Sequence, residues 1–234
     1  MYVMTIDQRG SRTDVDRVPE LVSQLRRLTS AVFERSVGDE IQGVVGDPDE
    51  VVDIALHALR AGHWYVGIGI GSVRLAAAAA PREGTGSGFV AARKAVDEAK
   101  SAAGHVPLSV VSGSIGRGMD IPHDAKEGAR SCANAEAVLR LIGRLVLERT
   151  DAQWKVVDQL RSIQRSGGKH GSQKQVAKEL GITEQSVSRA LLRSGWQEEW
   201  AARPAAAMLL DYAHSQIVPS ASVEAAGTPK EGDR

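Results

Sequence analysis

Cysteine is almost absent from this chain. The single Cys132 excludes an intramolecular disulfide and a cysteine metal cluster, and its natural role is that of a small buried hydrophobe. Aromatic residues are only 4% of the 234 positions, which argues against a base-stacking surface for single strands and leaves the core to Val, Leu, Ile and Ala. No apolar run approaches the ~20 residues of a membrane-spanning helix. No charged-then-apolar signal opens the chain either, so a soluble, cytoplasmic protein is expected. The six histidines, His57, His63, His105, His123, His170 and His214, show no metal-ligand spacing, and no serine sits in a Gly-x-Ser-x-Gly elbow. The formal net charge is +0, so attraction for a polyanion has to come from a local cluster.

Such a cluster is present. From Lys155 to Arg193 the basic residues Lys155, Arg161, Arg165, Lys169, Lys174, Lys178, Arg189 and Arg193 outnumber Asp158, Glu179 and Glu184, the footprint expected of phosphate contacts. Inside it, Gln173–Trp196 reads as a helix-turn-helix, with the motif proper at 173–193. Val176, Ala177 and Leu180 make one buried helical stripe, with Lys174, Lys178 and Glu179 on the wet side. Gly181 supplies positive φ for the exit, and Thr183 is placed to cap the next helix. Val187, Ala190 and Leu191 then face inward, and Ile182 and Val187 plug the angle. The outward positions Glu184, Gln185, Ser186, Ser188, Arg189 and Arg193 are groove-facing candidates, with Thr183 and Lys174 beside them.

The segment resembles helix-turn-helix units of bacterial regulators, MarR-like ones among them. No alternating strands follow to form a wing, so a trihelical unit is expected, its leading helix facing inward through Trp154, Val156, Val157, Leu160 and Ile163. Arg165–Ser172 reads as a flexible basic connector; its Gly-Gly-Lys lacks the spacing of a P-loop.

With 42% apolar and 25% charged residues there is room for about two domains. Ahead of the motif the pattern reads strand (2–6), helix (14–30), hairpin around Gly38-Asp39, helix (50–61), strand (64–70), helix (88–102), strand (108–111). This βαββαβαβ order predicts a mixed sheet related to the split βαβ arrangement. Gly67-Ile-Gly-Ile-Gly71 alternates within a strand and implies a close approach of helix or ligand, and Gly113–Gly118 reads as a linker. The expected organisation is a sheet domain over 1–112, a linker over 113–131, a helical domain over 132–212 and a disordered tail over 215–234.

Asp7 and Asp39 each end a strand, and carboxylates meeting at one sheet edge suit a divalent ion, magnesium where phosphates are involved; capping of turn amides is the alternative role. Asp7-Gln-Arg-Gly10 resembles the Asp-x-x-Gly opening of class III nucleotide cyclases, and Arg35-Ser-Val-Gly-Asp-Glu-Ile41 their Gly-Asp hairpin and the corresponding turn of diguanylate cyclases. Tyr65–Gly71 is similar to the cyclase Gly-Ile-x-x-Gly strand, and Val90-Ala-Ala-Arg93 to the end of their Asn-x-Ala-Ala-Arg helix. An early Ile-Asp-x-x-Gly-Ser-Arg, then Gly-Asp-Glu-Ile-Gln, then a terminal helix-turn-helix most resembles the SatD-like family, over about residues 2–212.

That resemblance implies an α+β chain: a cyclase-like, ferredoxin-like palm domain with a mixed sheet, followed by an all-α helix-turn-helix domain. It implies a ligand site of Asp7, Gly10, Arg12, Gly38, Asp39, Glu40 and Arg93, with Asp7 and Asp39 on Mg²⁺. Phe89 stands where the cyclases have their transition-state asparagine, and Phe33 where they have a purine-reading lysine, so a sensing domain is favoured over a catalytic one. The expectation is a homodimeric regulator of double-stranded DNA that senses a nucleotide or other ligand; the alternative is a metal-dependent cyclase or nucleotidyl transferase with an appended DNA-binding module.

Overall fold

The computed structural model describes residues 1–76, 80–101, 106–113, 123–165 and 172–218. Residues 114–122 of the linker expected over 113–131, residues 166–171 of the connector and residues 219–234 of the tail expected over 215–234 lie outside the described residues, while 123–131 and 215–217 are helical, continuing the apolar helices beside them rather than forming linker and tail. Among the described residues the chain is a mixed α+β structure, with one five-stranded mixed sheet and eight α-helices. The strands are β1 (Tyr2–Gln8), β2 (Phe33–Arg35), β3 (Glu40–Val45), β4 (Trp64–Ile70) and β5 (Leu108–Ser112). The helices are α1 (Val18–Leu28), α2 (Pro48–Ala61), α3 (Ser87–Ser101), α4 (His123–Glu148), α5 (Asp151–Arg165), α6 (Ser172–Leu180), α7 (Glu184–Ser194) and α8 (Trp196–Ile217).

The sheet order is β2-β3-β1-β4-β5, antiparallel except for the parallel β4–β5 pair. β1 and β2 run parallel with β3 between them, and β3 and β4 run parallel with β1 between them. This is the split βαβ arrangement, extended by α3 and β5. β1 is buried along its whole length because both faces of the central strand are covered. Its Tyr2, Met4 and Ile6 join Val66, Ile68, Ile70, Leu108 and Val110 in the main core, against α1 and α2. α2 is bounded as its sequence dictates. The Asp47 side chain accepts from the Asp49 amide, Pro48 occupies the first turn, and Gly62 leaves the helix at φ 75°.

α3 covers the opposite face, and the alternating glycines explain how closely. A Cβ on Gly67 would lie 2.4 Å from the Val96 nitrogen, and one on Gly69 would lie 2.2 Å from the Ala92 nitrogen. The glycines of β4 therefore admit helix backbone rather than a ligand. Ala91 and Ala95 of α3 pack there with Val111 in a small core of their own.

The helices after the sheet divide differently from the linear order expected of them. α4 and α8, an antiparallel pair flanking the three helices between them, contribute Cys132, Ala135, Leu139, Ile142, Val146, Ala206, Leu210 and Ala213 to the core of the sheet domain. α5, α6 and α7 instead form a separate core of Val156, Val157, Leu160, Ile163, Val176, Ala177, Val187 and Leu191, closed by Trp196. A trihelical unit is thus inserted between two helices of the sheet domain, rather than appended after residue 132. α4 also protects the edge strand β5: Glu136 accepts from the Val110 amide and Arg140 donates to the Leu108 carbonyl, both at 2.8 Å, filling groups another strand would seek.

The junction between the two cores is charged and tight. Arg149, just past α4, is fully buried; its Nε donates to the Ser194 carbonyl at the end of α7, and its Nη2 to Glu199 of α8 at 3.1 Å. Trp154 of α5 lies between Arg149 and Arg60 of α2, whose guanidinium carbons sit 4.4 and 3.8 Å from the ring centre. Arg60 also pairs bidentately with Asp158 of α5, at 2.8 and 2.6 Å.

Candidate functional site

Two groups of candidate residues take shape, one on the trihelical unit and one on the sheet. In the first, α6 and α7 are joined by three residues. Gly181 has φ 66°, the Ile182 amide donates to the Ala177 carbonyl at 3.0 Å, and the Thr183 hydroxyl accepts from the Ser186 amide at 3.1 Å. Thr183 and Ser186 also share a hydroxyl–hydroxyl bond of 2.9 Å, so both serve the helix start as well as its surface. Ile182 is 39% exposed, and Val187 alone fills the angle where both were expected; a residue inside so short a turn points outward once Gly181 has reversed the chain.

Lys174, Thr183, Glu184, Gln185, Ser186, Ser188, Arg189 and Arg193 are all exposed. Three of them, Lys174, Thr183 and Glu184, line a shallow groove of about 560 Å³ together with Gln175, Ala177, Lys178 and Ile182. The surrounding basic cluster is smaller than the sequence count. Arg161 turns inward over the Trp200 ring, 5.2 Å from its centre, because that indole offers a face at the junction. Lys169 lies outside the described residues.

In the second group, cross-strand register aligns Glu40, Asp7 and Tyr65 across β3, β1 and β4. All three face α3, as period-two alternation requires. α3 supplies the counter-charges: Arg93 reaches Glu40 at 2.7 Å and Lys100 reaches Asp7 at 3.1 Å. Ser36 additionally donates to Glu40. Burial pushes the Asp7 carboxyl above its ordinary pKa against the opposing hydrogen bond and charge of Lys100, and the neighbouring Asp39 pushes it the same way. Burial likewise raises Glu40, opposed by the Ser36 hydrogen bond and the Arg93 charge. One row of the sheet thus holds two nearly dry carboxylates against two cations.

The partner of Asp7 in this row is Glu40, where Asp39 was expected. Asp39 ends the turn before β3, one residue out of register, and meets β1 through its carbonyl, which accepts from the Gln8 amide at 3.2 Å. Among the described residues, no three His, Cys, Asp or Glu side chains converge as a metal-ligand group. Gly10 (φ 68°) and Gly38 (φ 59°) are turn residues, and Arg12 is exposed. Lys100 escaped the sequence reading, and the helical period from Arg93 to Lys100, two turns along one face, was the signal available for it.

Among the described residues, no helix is long and apolar enough to cross a membrane. Comparison with protein-family models, with curated proteins and with solved structures finds no match.

Proposed function

We propose that the protein is a DNA-binding transcriptional regulator in which α7 enters the major groove and the sheet domain senses a small ligand without catalysing its conversion. The observation that carries this reading is the exposed face of α7. Gln185, Ser186, Ser188, Arg189 and Arg193 stand out from a helix whose Val187 and Leu191 anchor it in a small three-helix core. Arg189 and Ser186 are assigned to base edges, and Lys174, Lys178 and Arg193 to phosphates. One bidentate arginine–guanine contact supplies about 1–3 kcal/mol of discrimination. A single trihelical reader spans few base pairs, so the working form is a symmetric dimer on double-stranded DNA. In a salt-controlled gel-shift assay on fragments recovered by genome-wide occupancy mapping, Arg189→Ala loses sequence preference; unchanged affinity for every fragment would refute the groove assignment.

A sensing role for the sheet domain draws on the carboxylate row and on the junction. Arg93 and Lys100 already neutralise Glu40 and Asp7, which suits a structural or ligand-linked switch better than a standing pair of metal ligands. The second reading, a metal-dependent nucleotide cyclase or nucleotidyl transferase, is favoured by the same two carboxylates with raised pKa on one sheet row. Incubation with Mg²⁺ or Mn²⁺ and each nucleoside triphosphate, followed by mass spectrometry, separates the two: turnover abolished in Asp7→Ala establishes the enzyme.

A further inference from the structure

We propose that the cleft between α1 and α2 is an effector site for a small phosphorylated molecule, and that this ligand competes with Asp158 for the guanidinium of Arg60. The cleft lies on the face of the sheet opposite the carboxylate row and encloses about 410 Å³, within the size range of small-molecule sites. Arg17, Gln24, His57, Arg60 and His63 line it, with Glu20 as the one carboxylate among its lining residues and buried Trp64 behind them. Two guanidinium groups and a carboxamide in a space of this size suit phosphate oxygens, which guanidinium binds bidentately. His57 is held to Gln24 at 2.8 Å, and burial together with the charges of Arg60, Arg27 and Arg161 keeps its imidazole neutral at pH 7. It therefore serves as an adaptable hydrogen-bonding wall.

Both arginines are held by partners that a ligand can displace. Arg17 pairs with Asp14 and Arg60 with Asp158, and every side chain in these pairs is at least 30% exposed. Both pairs are two-pronged, but at this exposure solvent screens them and a competing anion can reach the guanidinium. Arg60 is the link to the DNA-binding unit, because it lines the cleft while stacking on Trp154 and pairing with Asp158, both on α5. A phosphate that draws Arg60 into the cleft takes away the salt bridge that fastens α5 to α2. The coupling to DNA rests on the regulatory role proposed above; binding in the cleft does not.

The test titrates potassium pyrophosphate, at constant ionic strength, into the full chain labelled with ¹⁵N. Saturable binding is expected, with the indole signals of Trp64 and Trp154 moving and that of Trp196 unmoved. Arg17→Ala and Arg60→Ala should each weaken binding at least tenfold, and Arg60→Lys, which keeps the charge but loses the fork, by a smaller factor. Asp158→Asn, an exposed and conservative change, should tighten binding two- to fivefold by removing the competitor. Several outcomes overturn the proposal: no saturation, shifts confined to residues 172–194, arginine variants that bind like the parent, or an Asp158→Asn variant that binds no tighter. Equal affinity for citrate overturns the choice of phosphate. If pyrophosphate binds as expected while DNA affinity stays the same with and without it, the cleft stands and the sensing role falls.

Discussion

Glu199→Ala offers the sharpest test of how the two cores are joined. In the native chain the Glu199 carboxylate is 1% exposed and bridges two cations, Arg149, whose side chain is 0% exposed, and Arg203 one turn further along α8. Arg203 retains Asp53 as a second partner when Glu199 is removed. Arg149 has no such reserve: it keeps the Ser194 carbonyl and the Trp154 face, its Nη1 already lacks a hydrogen-bond partner, and no other carboxylate pairs with it among the described residues. Deleting one partner of a buried pair leaves an uncompensated charge in a dry site and costs about 3–5 kcal/mol. That is a large share of the ~5–15 kcal/mol that holds a typical domain folded.

Urea unfolding followed by circular dichroism reads this cost as a lower midpoint at unchanged slope. A control separates charge from shape. Arg149→Met combined with Glu199→Leu removes both charges and should recover at least half of the loss, because well-packed apolar replacements of a buried pair are often neutral or stabilising. The double variant still forgoes the bond to the Ser194 carbonyl, so recovery is incomplete. A loss below about 1 kcal/mol for Glu199→Ala would show the pair behaving like an exposed one. A double variant no more stable than the single would show that the fork geometry, and not the stranded charge, holds the junction.

Three further perturbations probe the sheet and the motif. Gly69→Ala forces a Cβ against the Ala92 nitrogen and the Gly88 carbonyl, 2.2 and 2.3 Å away, so α3 must lift. The expected cost is about 1–3 kcal/mol or more in thermal unfolding, and an unchanged Tm would refute the close approach. Asp7→Asn should raise the Tm at pH 7. Burial raises the carboxyl's pKa in the folded state, so the stability it contributes is complete below the ordinary carboxylate range and is lost as pH rises through the folded value. The advantage of the uncharged Asn therefore shrinks towards pH ~3–4, and a lower Tm than the parent at pH 7 would show that the Lys100 pair outweighs burial. Thr183→Ala removes the cap of α7 and should cost about 1 kcal/mol; no change in unfolding would leave the Ser186 amide's bond to Thr183 without energetic weight.

Periodicity made most of the local structure legible. The βαββαβαβ order and the Gly181 turn are all present in the fold, because each depends on residues a few positions apart. Thr183 as the cap and the inward stripe of Val187 and Leu191 are local in the same way. The alternating glycines of β4 announced a close approach, though only the structure identified the backbone of α3 as what approaches. The candidate site was less legible. Asp7 was visible as a strand-end carboxylate, but its partner depends on a register that pairs it with Glu40 and leaves Asp39 in the turn.

The sequence by itself determined most of the segments that become helices and strands, where the α6–α7 turn falls, and which side chains of α7 are left outside, since backbone sterics and a one-sided apolar stripe act within a single element; the first turns of α4, over 123–131, were the exception. Only the tertiary structure decided that α4 and α8 belong to the sheet's core and bracket the trihelical unit, that Arg93 and Lys100 neutralise the carboxylate row, and that Arg60 stands between a polar cleft and α5. The Arg60–Asp158 pair joins residues 98 positions apart, and Arg203 of α8 meets Asp53 of α2 across 150. Burial and charge pairing at such separations are settled by how the elements pack together, which no pattern within one element records.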